Sequence, residues 1–165
     1  MATFRSSLAQ SQGSERRIDA DEVIARSFAD ATCPRLVFIN GVWTREFSFA
    51  PGLPRGVRLT SLAELIKQDE PLLSVQLGRH ANYRRQAFVA LNTAFMGDGA
   101  VVIVPPGCCL AQPIYLIHVS SPGAGPLVSH PRTLVFLGAG SEAKIIESYV
   151  GVDEGAYFCN AVTEL

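Results

Sequence analysis

Short apolar runs separated by Pro, Gly, Ser or Asp dominate the chain after residue 99. The runs are VVIV (101–104), IYLIHV (114–119), LVFL (134–137), AKIIESYV (143–150) and AYFCNAV (156–162). Runs of this length and β-branched content are typical of strands. Because they recur at short intervals with few polar faces, they predict a coil of parallel strands in which each turn covers the next. An antiparallel sandwich is the alternative, since residues 120–126 fit a hairpin loop as well as a corner.

The chain before residue 99 has a different pattern, which predicts one hairpin and several helices. Asn40 and Gly41 stand between LVFI and VWT and supply the two positive φ values of a type I′ turn, so residues 35–47 are predicted to form a hairpin. Trp43 on this hairpin is interpreted as a buried packing residue, with ligand stacking as the alternative.

Helical spacing of apolar residues predicts three helices. The first spans residues 19–29, and the second runs from Ser61, which forms a capping box with Glu64, to about residue 68. The third spans residues 84–96. It places three apolar residues on one side: Phe88, Leu91 and Phe95. These patterns divide the chain into a disordered lead and short helix (1–30), a hairpin-plus-helices region (31–98) and the first turns of a coil (99–165).

Residues 132–151 allow two incompatible interpretations. In the first, residues 143–150 are a second strand that leaves a tight corner at residues 138–141. In the second, Gly138, Gly140 and Ala143 form G-x-G-x-x-A after a strand, which is the pattern of a dinucleotide-binding fold, and Glu164 would bind the ribose. The β-branched and aromatic content of the second run favours the strand.

Composition and charge exclude several classes of protein. A formal net charge of −1 without a basic cluster gives no reason to expect nucleic acid or an anionic membrane surface as a partner. No apolar run approaches the roughly 20 residues that span a bilayer, and the first residues lack the apolar core of a secretory signal. We therefore expect a cytoplasmic protein.

The candidate chemical groups do not form a recognisable active site. Four cysteines are expected to be thiols in packing or turn positions, with a metal ligand or a sulfur carrier as the alternative for any one of them: Cys33, Cys108, Cys109 and Cys159. The histidines, His80, His118 and His130, do not have metal-ligand spacing, and His118 is predicted to face outward from its strand. Glu147 on an apolar strand requires a partner, for which Arg132 or Lys144 is the candidate. We predict no catalytic, cofactor-binding or metal-binding residue in this chain.

A series of ordered motifs gives the sequence a specific resemblance. The motifs are AFVALNTAFMGDGAVVIV (87–104) followed by PPG, then QPIYLIHV, HPRTLVFLGAGSEAKIIESYVG and AYFCNAVTEL. Together they resemble the SufB/SufD family of iron-sulfur cluster assembly proteins. The hairpin LVFINGVW and the stretch LPRGV (53–57) are similar to the SufD member. The resemblance covers about residues 35–165.

The resemblance implies a fold and a function. The expected fold is mainly β, the start of a right-handed parallel β-helix preceded by a small α/β N-terminal region. The expected function is that of a non-catalytic scaffold subunit of a SUF-type assembly complex, with a SufB-like paralogue and a SufC-like ABC ATPase as partners. The complex, not this chain, is expected to handle the iron-sulfur cluster. A dinucleotide-binding oxidoreductase using Gly138, Gly140 and Ala143 is the alternative, and a β-sandwich binding module is a third possibility.

The chain also departs from the resembled family. Family members are much longer, and the residues proposed to act on clusters or to dock the ATPase lie beyond residue 165, so the resemblance transfers no functional residue. Unpartnered strands at the end of a coil would expose backbone amides and carbonyls. Self-association through this end is therefore expected.

Overall fold

A computed structural model describes residues 5–6, 18–121, 125–152 and 154–165 of the chain. The strands are β1 (Arg5–Ser6), β2 (Arg35–Ile39), β3 (Val42–Trp43), β4 (Arg58–Ser61), β5 (Ala100–Val104), β6 (Ile114–Ser120), β7 (Leu127–Ser129), β8 (Arg132–Leu137), β9 (Ile145–Gly151), β10 (Tyr157–Cys159) and β11 (Val162–Glu164). The α-helices are α1 (Ala20–Ser27), α2 (Leu62–Lys67), α3 (Pro71–Gln76) and α4 (Ala87–Phe95), and a 3-10 helix spans Arg45–Phe47. None of these helices is long and apolar enough to span a bilayer.

The strands form three sheets, ordered β3-β2-β6-β9, β11-β8-β5-β4 and β1-β7-β10. Within the described part of the chain, the strands from β5 to β11 pair with one another in parallel. Strands β5, β6 and β7 lie in three different sheets, and β8, β9 and β10 follow through the same sheets in the same order. The sandwich alternative is therefore wrong, because it requires antiparallel pairing here. The fold is mainly β with mixed sheets, since β3 and β4 pair antiparallel to their neighbours.

The core lies in three apolar layers that cover both faces of the two larger sheets. The layer between these sheets contains Leu36, Phe38, Ala100, Val102, Val104, Ile114, Leu116 and Val135. Val23 of α1 packs with the opposite face of β2 and β6. Leu62, Leu65 and Leu73 of α2 and α3 pack on the outer face of β5 and β8. Strands buried on both faces require nearly continuous apolar sequence, which explains the runs after residue 99.

The local signals before residue 99 are largely confirmed. Asn40 and Gly41 have φ values of 53° and 81°, and β2 and β3 pair antiparallel across them. The side chain of Ser61 accepts a hydrogen bond from the Glu64 amide at 3.3 Å. The Glu64 carboxylate binds Lys67 at 2.9 Å instead of the Ser61 amide, so the capping box is confirmed in its Ser61 half alone. Trp43 is partly buried against the central core layer, as the packing interpretation predicted.

Three elements differ from the sequence-based prediction. Helix α4 begins at Ala87, not at residue 84, and α3 was not predicted. In the lead that was predicted to be disordered, Arg5–Ser6 forms a strand parallel to β7. The rest of residues 1–17 lies outside the described residues. Residues 145–151 form a strand, which confirms the first interpretation of this stretch.

Candidate functional site

The glycine corner that leads into β9 has a structural role. The helix required by the dinucleotide interpretation is a strand in this structure, so no helix N-terminus is available for a pyrophosphate. A Cβ at Gly138 would collide with the backbone nitrogen of Pro106, which shows that glycine permits two corners to stack closely. Gly140 has a φ of 68° in open space, which favours glycine for conformational reasons. The dinucleotide interpretation is therefore wrong in its structural premise.

Glu164 is not free to bind a ribose, because it forms a buried ion pair with Arg132. The Nε and Nη2 atoms of Arg132 donate to one Glu164 oxygen at 2.9 and 2.5 Å. The Nη1 atom donates to Asn92 Oδ1 at 3.0 Å and to Thr93 Oγ1 at 3.3 Å on α4. Because Arg132 is fully buried, its charge requires these partners.

The Glu164 carboxylate also holds the loop between α3 and α4. It accepts hydrogen bonds from the amides of Gly78 and His80 at 2.9 Å and of Ala81 at 3.1 Å. Burial raises the pKa of Glu164, but these amides and the Arg132 guanidinium outweigh burial and hold the pKa below its usual value. We call the group of Arg132, Glu164 and Asn92 the buried junction, because it joins β8, β11, α4 and this loop.

Glu147 lies on the same face of β9 as Ile145, which packs on the central core layer. Its predicted partners were Arg132 and Lys144. Its two oxygens instead accept hydrogen bonds from the hydroxyls of Thr133 at 2.7 Å and Thr163 at 3.0 Å. The hydrogen bonds to the carboxylate therefore come from neutral hydroxyl groups on β8 and β11, which are neighbouring strands of one sheet.

Cys159 is a half-buried thiol in this part of the structure. Burial raises its pKa, a hydrogen bond with Ser129 lowers it, and the nearby Glu147 charge raises it further, so that the net shift is upward. A thiol with a raised pKa is a poor nucleophile and a poor metal ligand at neutral pH. The other cysteines are also free, and Cys33 is buried.

His118 is buried, which corrects the prediction that it faces outward. It lies on the same face of β6 as Leu116, toward the central layer, and only 5% of its surface is exposed. Its ring stacks between Phe38 at 5.1 Å and Tyr149 at 4.8 Å. Neither ring nitrogen has a hydrogen-bond partner in the part of the chain that the structure describes, and burial lowers the pKa to about 4. The prediction was wrong because it assumed that only one face of β6 is buried. Helix α1 covers the face opposite to His118, and the central layer covers His118 itself.

The remaining histidines, His130 and His80, each make a polar contact within the described structure. His130 accepts a hydrogen bond from Asn160 at 3.2 Å, and partial burial lowers its pKa. His80 is exposed, and its backbone amide binds Glu164. Among the described residues, no group of three His, Cys, Asp or Glu side chains could hold a metal ion.

The arrangement is suited to strand pairing. Strands β9, β10 and β11 are each the last strand of their sheet, and each follows its parallel partner one turn later in the chain. Each therefore presents an edge of unpaired backbone groups within the described structure. Tyr149 and Tyr157 on these strands are each 47% exposed. We call β9, β10 and β11 the open edge, and it is the candidate interaction site of the chain.

Comparison with known proteins places the chain in a family. Residues 12–116 match the family model described as the SufBD protein N-terminal region. An iron-sulfur cluster assembly SufBD family protein of Synechocystis is 31% identical over 159 residues, covering 90% of this chain. Protein ABCI7, chloroplastic, of Arabidopsis thaliana is 37% identical over 84 residues, or 47% of this chain. The chain spans 35% of the first relative and its match spans 18% of the second. It therefore belongs to the SufBD family.

Proposed function

We propose that the chain is part of a non-catalytic scaffold subunit of a SUF-type iron-sulfur cluster assembly complex. The supporting observation is the family match, since a similar Synechocystis protein is named for iron-sulfur cluster assembly. The hairpin LVFINGVW and residues 53–57 favour the SufD member. In this proposal a SufB-like paralogue and a SufC-like ATPase are the partners. ATP hydrolysis belongs to the ATPase, and the cluster is the cargo of the whole complex.

The parallel register supports the expected architecture. Residues Val101–Val104 pair with Leu134–Leu137, and residues Ile114–Ser120 pair with Ile145–Gly151. Each strand therefore pairs in parallel with the strand that follows one turn later in the same sheet. We propose that these turns are the first coils of a right-handed parallel β-helix. Each coil would present its edge to the next, and the open edge would then receive further strands or a partner subunit.

Co-purification with the proposed partners tests this function. The tagged chain would be co-expressed with the SufB-like and SufC-like proteins of the same genome, and we expect the SufB-like protein to be retained together with the SufC-like ATPase bound to it. Tyr157→Asp places a charge on the open edge and should release them. Val42→Asp, on the outermost strand of another sheet and 43% exposed, is the matched control and should retain them. Failure of the unmodified chain to retain either protein would contradict the proposal.

The cytoplasmic location expected from the sequence stays a prediction. Protein ABCI7 is named as chloroplastic, so relatives of this chain are not confined to one compartment. Fractionation of cells that express the tagged chain from its own gene tests the location directly.

A further inference from the structure

The loop between α3 and α4 carries three exposed arginines: Arg79, Arg84 and Arg85. The ion pairs among the described residues use other cations, namely Arg26, Arg58, Lys67 and Arg132. The Arg84 guanidinium lies 5.9 Å from the centroid of the Tyr83 ring. The loop therefore carries three exposed arginines within seven residues, and none of the three forms an ion pair with a described carboxylate.

Exposed aromatic rings adjoin this loop on α4 and β10. Phe88, three residues after Arg85, is 65% exposed, Phe95 is 59% exposed and Phe158 is 38% exposed. The rings of Phe88 and Phe158 lie 6.2 Å apart, and His130 lies 6.5 Å from Phe158 and 5.7 Å from Phe95. The rings thus form one continuous cluster. A contiguous exposed apolar cluster of this kind marks an interaction site more often than isolated exposed side chains do.

The two parts of this surface are held in place by the body of the protein. Glu164 fixes the loop through three backbone amides, as described above. Asn160 donates to the carbonyl of Phe88 at 2.9 Å and to His130 at 3.2 Å. Asn92 donates from α4 to the carbonyls of Pro131 and Asn160 at 2.8 Å. Because the scaffold is ordered before binding, a ligand does not bear the entropy of ordering this backbone.

We propose that Arg79, Arg84, Arg85, Phe88, Phe95 and Phe158, which we call the Arg-Phe surface, dock an acidic segment of a partner protein that also carries apolar side chains. Charge complementarity argues for carboxylates opposite the guanidinium groups, and the exposed rings argue for apolar residues between those carboxylates. Arginine and aromatic residues are the types enriched in protein interfaces. Nucleic acid is disfavoured, since affinity for a polyanion grows with the number of phosphates contacted and the chain has a net charge of −1. The surface meets the open edge at β10, which carries Phe158, but the inference does not require that the partner is one of the SUF-type proteins proposed above.

Fluorescence anisotropy of a labelled synthetic peptide tests the charged part of the surface. The probe alternates Asp or Glu with Phe or Leu, and the whole chain is titrated into it at low salt. We expect R84E/R85E to weaken binding by about tenfold or more. The matched control is R45E/R55E, which makes the same charge change at two other exposed arginines. Arg45 lies over the ring of Trp43, as Arg84 lies over the ring of Tyr83. The control should stay within about twofold of the unmodified chain.

Single substitutions test the aromatic part, and circular dichroism of each variant verifies that it is folded. Phe88→Ser should weaken peptide binding by about fivefold or more. Ile66→Ser, which is 52% exposed on α2, should leave binding unchanged. Equal losses in R84E/R85E and R45E/R55E, or no measurable binding by the unmodified chain, would overturn the proposal. Tighter binding of a single-stranded RNA of equal charge, lost in R84E/R85E, would assign the surface to nucleic acid instead.

Discussion

The buried junction and the ring stack around His118 are two regions that bury polar groups by opposite means. At the junction, Arg132 is fully buried and its nitrogens donate to Glu164, Asn92 and Thr93. In the stack, His118 is almost as deeply buried, but both ring nitrogens lack partners among the described residues, and the rings of Phe38 and Tyr149 stack on its faces. The buried junction supplies hydrogen bonds to a charged side chain, whereas the ring stack keeps a titratable side chain neutral.

The difference shows how stacked strands tolerate polar residues. A charge inside the fold is tolerated where another element can supply hydrogen bonds, and α4 with the loop at residues 78–81 supplies them at the junction. Among the described residues, no such element supplies a donor or acceptor to the His118 ring nitrogens, and the ring contacts the same position on the neighbouring strands above and below it. Phe38 pairs in register with His118, and His118 with Tyr149, so stacking is the contact available there.

Breaking the junction should have the largest effect on stability. Arg132→Met leaves the Glu164 carboxylate without its cation, and we expect the free energy of unfolding to fall by about 3–5 kcal/mol. Urea denaturation measures the change. Arg132→Met with Glu164→Leu removes both charges, yet it should recover little, since the three loop amides at residues 78–81 then lack their acceptor. Full recovery in the double variant would show that the loop contacts contribute nothing.

Acidification should destabilise the protein through the ring stack. In the unfolded chain His118 becomes protonated near pH 6.5, whereas in the folded chain it becomes protonated only near pH 4. The unfolded state therefore binds more protons in this window, and stability falls as the pH falls through it. Between pH 7 and pH 4.5 we expect a loss of about 2–3 kcal/mol from this residue, measured by urea denaturation.

The contribution of His118 can be separated from that of other groups. The pKa of His130 is also lowered by burial, so it adds to the slope with the same sign. The difference between the pH profiles of the unmodified chain and His118→Phe isolates His118. Tyr149 stays neutral in this range, because the ordinary pKa of tyrosine is about 10 and burial raises the pKa of Tyr149 further. Identical pH profiles for the two proteins would show that the folded state does not hold His118 neutral.

These two regions also mark what the sequence could and could not predict. The hairpin at Asn40 and Gly41 and the parallel runs after residue 99 were predicted because their signals are local. The Arg132–Glu164 pair was missed because it depends on register: Arg132 pairs with Val162, and Glu164 lies two residues further along the same strand. A strand that begins with arginine amid apolar residues was the available signal. The burial of His118 was missed because only the packing of α1 reveals that both faces of β6 are covered.

Substitution of either glycine in the corner between β8 and β9 by alanine should lower the free energy of unfolding, but by different amounts. Gly138 is the first residue of the corner between β8, which carries Arg132, and β9, whose Tyr149 stacks on His118. Gly138→Ala should lower the free energy of unfolding by about 2 kcal/mol, because the added Cβ meets the Pro106 backbone. Gly140→Ala meets no atom and should cost about 1 kcal/mol through its positive φ alone. Equal effects of the two substitutions on the free energy of unfolding would contradict the close stacking of the two corners. In a separate test of the dinucleotide interpretation, calorimetric titration with NAD(H) should detect no binding to the unmodified chain.

His118→Phe at pH 7 should have the smallest effect and gives the sharpest comparison. Phenylalanine keeps the stacked ring and removes two buried nitrogens that lack partners among the described residues, so we expect a change within about 1 kcal/mol, in the stabilising direction. His118→Ala is the control. It removes the ring as well and should lower the free energy of unfolding by about 2 kcal/mol or more. If His118→Phe destabilised the protein as much as His118→Ala does, the nitrogens would have to make contacts that stacking alone does not provide, and the contrast with the junction would disappear.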